Sequence, residues 1–137
     1  MWKLFAFLSA VCAAATSILA KIGMKGVDSN LATALRTLVA LFLAWTIVLT
    51  TGAFRGIKTL TGQNWLFLAL SGLATGLSWL FYFNAIQHGP VSKVVPIDKF
   101  SVVLTIFLSF IVLHEQINAK TLIGGLLITA GTFVLIL

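Results

Sequence analysis

An all-α integral membrane protein with five transmembrane helices is the fold this sequence predicts, and three observations predict it. Of 137 residues, 60% are hydrophobic and only 9% charged, with a mean hydropathy of +1.11. A soluble domain of this size has too little interior to hide that much apolar surface, so lipid is the expected solvent. The apolar residues fall into five runs, each close to the 20 or so helical residues that cross a hydrocarbon core of about 30 Å. The segments between the runs hold the Gly, Asn, Asp and Lys of turns and helix caps. Backbone in lipid must hydrogen-bond to itself, which makes the runs helices.

The first span is expected at residues 4–20. Its apolar run outlasts a typical signal-peptide core, so it reads as a span rather than a leader. Val11 before Cys12 makes a poor lipidation site. "KIGMKGVDSN" leads to the second span, 31–51, and "GAFRGIKTLTGQN" to the third, 65–87. The tight "HGP" introduces the fourth, 91–113, and "HEQINAK" the fifth, 121–137, the shortest of the set. Trp2 and Trp65 fall at span ends, where indole rings prefer the membrane interface. The chain is thus a single domain over residues 1–137, a multi-pass protein whose expected place is the cell (inner) membrane.

Several function classes drop out. No nucleophile and base are paired by spacing, so no catalytic residues are assigned and no enzyme activity is expected. His88 and His114 are far apart and no Cys, His or carboxylate cluster has metal-ligand spacing, so neither a metal nor another cofactor is expected. The lone Cys12 leaves no intrachain disulfide. The net charge of +6 comes from single Lys and Arg residues beside apolar runs, with no basic stripe to follow a phosphate backbone; nucleic acid is not an expected partner.

Five spans place the two termini on opposite sides. The N-terminal side carries Lys3, Arg55, Lys58 and Lys120; the other carries Lys21, Lys25 and Lys93 in loops. Four basic residues against three is almost no positive-inside bias. Near balance predicts insertion in both orientations, that is, dual topology. Transporters built from inverted repeats place their site where the repeats meet. No internal repeat is present here, so the second half is expected from another chain, most simply an antiparallel homodimer.

Helix association in lipid relies on small residues. Span 3 has Gly72 and Gly76, span 1 has Ser9, Ala13, Thr16 and Ala20, and span 5 has Gly124 and Gly131, seven apart.

An ionisable residue within the hydrocarbon costs about 2.5–3.5 kcal/mol on insertion scales and calls for a partner or an interior position. Arg36, Asp98 and Lys99 are such residues, placed at similar depth in the half that Tyr82 and Asn84 also approach. Ser101, Thr105 and Ser109 each lie within about 60° of Asp98 on a helix, forming a hydroxyl stripe headed by the carboxylate. Ser71, Thr75, Ser78 and Tyr82 make a second line on span 3. Two readings stand for the hydroxyls: a polar path, or bonds back to their own helix carbonyls. Asp98 is either a counter-ion to Arg36 or Lys99, or a proton carrier. Pro96 cannot donate to the carbonyl of Ser92 and predicts a kink. Trp79, Phe81 and Phe83 are candidates for an apolar pocket wall. The excess of positive charge in the layer suits an anionic or zwitterionic solute.

"NAIQHGPVSKVVPIDKFSVVLT" followed by "LHEQINAKTLIGGLLITAGTFVLIL" resembles the second half of an EamA domain of the drug/metabolite transporter superfamily. Glu115 after the fourth span and the glycine-containing fifth span match its pattern, and Arg36 fits it. Most members carry two such domains, inverted in tandem; one here implies half of an inverted-repeat transporter. The resemblance implies export of a small solute or metabolite. The last two spans are also similar to those of small multidrug resistance proteins, whose seven-spaced glycine pair, matched by Gly124 and Gly131, implies dimerisation. That family's membrane glutamate falls on Ala13 here, so multidrug antiport does not follow. The expected path residues are Arg36, Asp98, Lys99, Ser101, Thr105, Tyr82, Asn84 and Trp79. A lipid-phosphate or lipid-linked flippase half, and a non-transporting scaffold subunit, are the alternatives.

Overall fold

A computed structural model describes all 137 residues. It contains helices and turns and no strand: α1 (Trp2–Gly23), α2 (Ser29–Thr50), α3 (Gly62–His88), α4 (Val91–Asp98), α5 (Phe100–Val112) and α6 (Ala119–Ile136). Helices α4 and α5 together make one crossing, so five segments have the length and apolarity to span a membrane. At about 1.5 Å per residue, a 22-residue helix such as α1 or α2 covers about 33 Å.

Burial confirms which solvent these helices are built for. Only Met24, Phe83 and Ile86 form a buried apolar core, while Phe42 is 66% exposed, Leu73 66% and Leu126 62%. In water that much bare hydrocarbon would drive aggregation; in lipid it is the matched surface.

The helix ends follow local chemistry. Asp28 caps α2, its Oδ1 accepting from the Asn30 and Leu31 backbone N–H groups at 2.8 and 3.1 Å. Gly52, with φ of +72°, takes the left-handed conformation that closes α2. The segment expected as plain loop then forms a 3₁₀ helix over Ala53–Thr59. Asn118 caps α6 through the backbone N–H and hydroxyl of Thr121, at 2.8 and 3.0 Å. His114, just past α5, is the one non-glycine residue with positive φ, at 54°.

The chain divides into two compact units, Leu19–Gln87 and the pair of segments Met1–Ile18 and His88–Leu137. In the first, the end of α1 is fastened to the end of α3. Lys21 Nζ donates to the carbonyls of Ile86 at 2.6 Å and Gln87 at 3.2 Å, and Gln87 Nε2 donates to the carbonyl of Val27 at 2.7 Å. The ammonium thus satisfies carbonyls that the end of a helix leaves orphaned, and faces the negative end of its dipole. Lys21, counted from the sequence among the loop cations of one side, is turned onto the end of α3.

In the second unit α6 packs on α4 and α5. Gly125 is the glycine at this contact: a Cβ there would meet Ile106 Cδ1 at 3.4 Å. Gly124 and Gly131 have nothing within 4 Å of a built Cβ. The small residue that closes the contact within the chain is therefore the neighbour of the seven-spaced pair.

Candidate functional site

Arg36 sits in the second turn of α2, one helical turn beyond Thr33, facing α3. Trp79 and Phe83, four residues apart on α3, receive it. The guanidinium carbon lies 3.9 Å from the Phe83 ring centroid and 5.1 Å from that of Trp79. Both distances are within the range in which a ring quadrupole attracts a cation. Tyr82 meets Phe83 edge to face, with centroids 5.1 Å apart. Of the three aromatics offered as a pocket wall, Phe81 is exposed and takes no part. Arg36 Nη1 is buried and meets no hydrogen-bond partner. The one carboxylate of this unit, Asp28, is occupied as the cap of α2. A cation inside a span is thus held by aromatic faces and left without a neutralising acid in its own unit.

Beside it, α2 and α3 enclose a groove of about 600 Å³ whose lining includes Asn30, Thr33, Thr37, Ser71, Thr75 and Trp79. Trp79 is the shared wall, facing Arg36 and the groove. Gly72 and Gly76 leave the α3 wall bare of side chains at those two positions. A smaller cavity of about 240 Å³ lies at the α1 end among Lys21, Met24, Lys25, Gly26 and Gln87.

The second unit holds the remaining predicted residues. Asp98 and Lys99 pair with each other, Nζ to Oδ2 at 3.5 Å. The helix breaks at Lys99, between α4 and α5, three residues after Pro96. The Pro96 carbonyl accepts from the Lys99 backbone N–H at 3.1 Å and from Thr132 Oγ1 of α6 at 3.2 Å. Thr132 is buried, 6% exposed. Ser101 and Thr105 lie on α5 just beyond, and Asn84 lies exposed on α3 in the other unit.

The hydroxyls mostly turn their protons onto their own helices. Thr105 Oγ1 donates to Ser101 O at 2.8 Å, Ser109 Oγ to Ile106 O at 3.0 Å and Thr75 Oγ1 to Ser71 O at 2.8 Å. Their oxygens keep lone pairs, so such a wall offers acceptors more than donors.

The sequence singles out Arg36, Trp79 and Pro96 but not the groove face of α2 or Thr132. Thr33 and Thr37 flank Arg36 in "ATALRTL", a signal available in the spacing and passed over for the more conspicuous stripe on span 4. Thr132 had no such signal, because a lone threonine in an apolar span most often bonds to its own helix.

Comparison with known proteins bears on these features. The EamA-like transporter family pattern matches residues 1–137. The chain is 42% identical over 134 residues to a Sinorhizobium sp protein named "Uncharacterized transporter in cobO 3'region", covering 98% of this chain and 95% of that one. No solved structure matches it.

Proposed function

Because the chain belongs to the EamA-like transporter family, we propose that it carries a small anionic or zwitterionic solute outward across the membrane as one half of an antiparallel homodimer. Family membership makes it a multi-pass transporter; solute, direction and partner are our reading. The observation that carries it is Arg36, a cation within a span with Nη1 buried and unpartnered. An unpaired charge in lipid is costly and is retained where a charged ligand supplies the missing partner.

In this reading Arg36, Trp79, Tyr82 and Asn84 are the path residues of one unit, and Asp98, Lys99, Ser101 and Thr105 are those of the other, each set taken by itself. Pro96 loosens the helix at the Asp98–Lys99 pair. One set of five spans with balanced flanking charge supports dual insertion, and the open faces of Gly124 and Gly131 support close approach by a second copy.

Flux tests the reading. Purified protein in vesicles should move labelled organic anions faster than empty vesicles do, and Arg36→Gln should remove that excess. A scaffold subunit gives no flux with any solute, and a flippase half moves a fluorescent phospholipid analogue instead. Reporters active on opposite sides of the membrane, fused in turn to the C-terminus, should both give signal; a one-sided signal sinks dual insertion. Gly131→Cys should cross-link two copies, and failure to do so under oxidation removes α6 from the dimer contact.

A further inference from the structure

Three threonines of the α2–α3 unit have a bonding state that constrains what their groove can hold. Thr33 Oγ1 donates to Ser29 O at 2.8 Å, Thr37 Oγ1 to Thr33 O at 2.7 Å and Thr75 Oγ1 to Ser71 O at 2.8 Å. Thr33, Thr37 and Thr75 all line the groove of about 600 Å³. With their protons committed to helix carbonyls, they present oxygen lone pairs, and only a donor can pair with those. Arg36 does not itself line the groove but lies against Trp79, which does; it is half-buried, with its ring partners on its faces and no acid of its own unit beside it.

We propose that this groove is a binding site for a small organic anion that also carries hydrogen-bond donors: a carboxylate or phosphate held by Arg36, and a hydroxyl- or amine-bearing body laid along the threonine oxygens. It rests on the transport reading for its physiological use, but the site itself is defined by binding alone. A helix of a second copy is the competing occupant, since Gly72 and Gly76 also line the groove. An apolar helix would leave the lone pairs of Thr33, Thr37 and Thr75 unmet and would pair with neither Asn30 nor Ser71. A donor-bearing solute meets all of these. The absence of a carboxylate from the groove lining argues against a purely cationic ligand, because nothing there would neutralise it.

Four matched six-carbon probes and one three-carbon phosphate ester separate the two requirements. Gluconate has the anion and the donors, hexanoate only the anion and sorbitol only the donors; glycerol 3-phosphate replaces the carboxylate by a phosphate, and 6-aminohexanoate replaces hydroxyls by an ammonium. Binding is read from Trp79 fluorescence in the full-length protein carrying Trp2→Phe, Trp45→Phe and Trp65→Phe, with Trp79→Phe as the blank. Gluconate or glycerol 3-phosphate should bind at least tenfold tighter than both hexanoate and sorbitol. Stronger binding by 6-aminohexanoate than by gluconate assigns the donors to an ammonium, within the same proposal.

Arg36→Gln should weaken the anionic probes by roughly 10- to 100-fold, as expected for a charge-assisted bond, and leave sorbitol unchanged. Arg36→Lys, which keeps the charge, should restore most of that loss and guards against misfolding. Thr75→Val should weaken gluconate by roughly fivefold and leave hexanoate unchanged. Hexanoate binding as tightly as gluconate, or no saturable quench by any probe, overturns the proposal. So does a Gly72→Cys cross-link between two copies that is insensitive to gluconate. Binding that obeys these rules without any flux in vesicles overturns the transport reading and leaves the site standing.

Discussion

Thr132→Val removes one hydroxyl from the contact between α6 and the α4–α5 joint, and the structure says how much that should cost. The hydroxyl donates to the Pro96 carbonyl at 3.2 Å and is buried. Valine has nearly the same shape, so no cavity opens. The Pro96 carbonyl is not orphaned either, because the Lys99 N–H reaches it at 3.1 Å. What is lost is a single interhelical hydrogen bond, without the full penalty of a bare buried acceptor, or about 0.5–1.5 kcal/mol. Interhelical bonds of this kind average about 0.6 kcal/mol in membrane proteins, which favours the lower half of that range. The assay is reversible unfolding in mixed detergent micelles, followed by circular dichroism. Thr132→Ser should retain most of the stability lost in Thr132→Val. A cycle with Pro96→Ala should show coupling of about 0.5 kcal/mol or more, because alanine restores an N–H and reshapes the turn that Thr132 grips. A loss above about 2 kcal/mol in Thr132→Val refutes the reasoning, since an extra acceptor must then have been stranded. A Thr132→Ser variant no more stable than Thr132→Val refutes it as well, by showing that the hydroxyl's bond to Pro96 is not what Thr132 contributes.

Lys21→Met should destabilise the α1–α3 contact by about 1–3 kcal/mol in the same unfolding assay, because it strands the carbonyls of Ile86 and Gln87 that the ammonium now satisfies. Asp28→Ala should cost about 1 kcal/mol through loss of the α2 cap, and Asp28→Asn only a fraction of that. His114→Gly should stabilise by about 1 kcal/mol, as glycine takes the left-handed conformation without the Cβ penalty. In vesicles, Asp98→Asn should abolish coupled flux of the solute; unchanged uptake with unchanged proton dependence would show that Asp98 serves only to balance Lys99.

Much of the fold was legible in the sequence. A run of about 20 apolar residues has few alternatives in lipid, where unsatisfied backbone is so costly that helix is forced. Caps and breaks followed from single residues, as with Asp28, Gly52, Asn118 and Pro96. The boundaries were less legible: α3 begins at Gly62 rather than 65, and the helix expected unbroken across 91–113 stops at Lys99. Pro96 predicted the weakness, but not that the helix would break at Lys99, where the Pro96 carbonyl is shared between the Lys99 N–H and Thr132 of another helix.

The same division runs through the candidate site. By itself the sequence determined that five helices cross the membrane, that Arg36, Asp98 and Lys99 are set within them, and that the flanking basic residues are nearly equal in number on the two sides, because each of these depends only on composition and on distance along the chain. Tertiary structure decided the pairings. Arg36 lies on Trp79 and Phe83, Lys21 turns to the end of α3, Gly125 rather than Gly124 meets Ile106, and Thr132 holds Pro96. A helical repeat says which residues share a face, but not which face meets a neighbour. In lipid, where apolar side chains gain little by choosing one another over the acyl chains, that choice falls to close packing at small residues and to a few hydrogen bonds between helices.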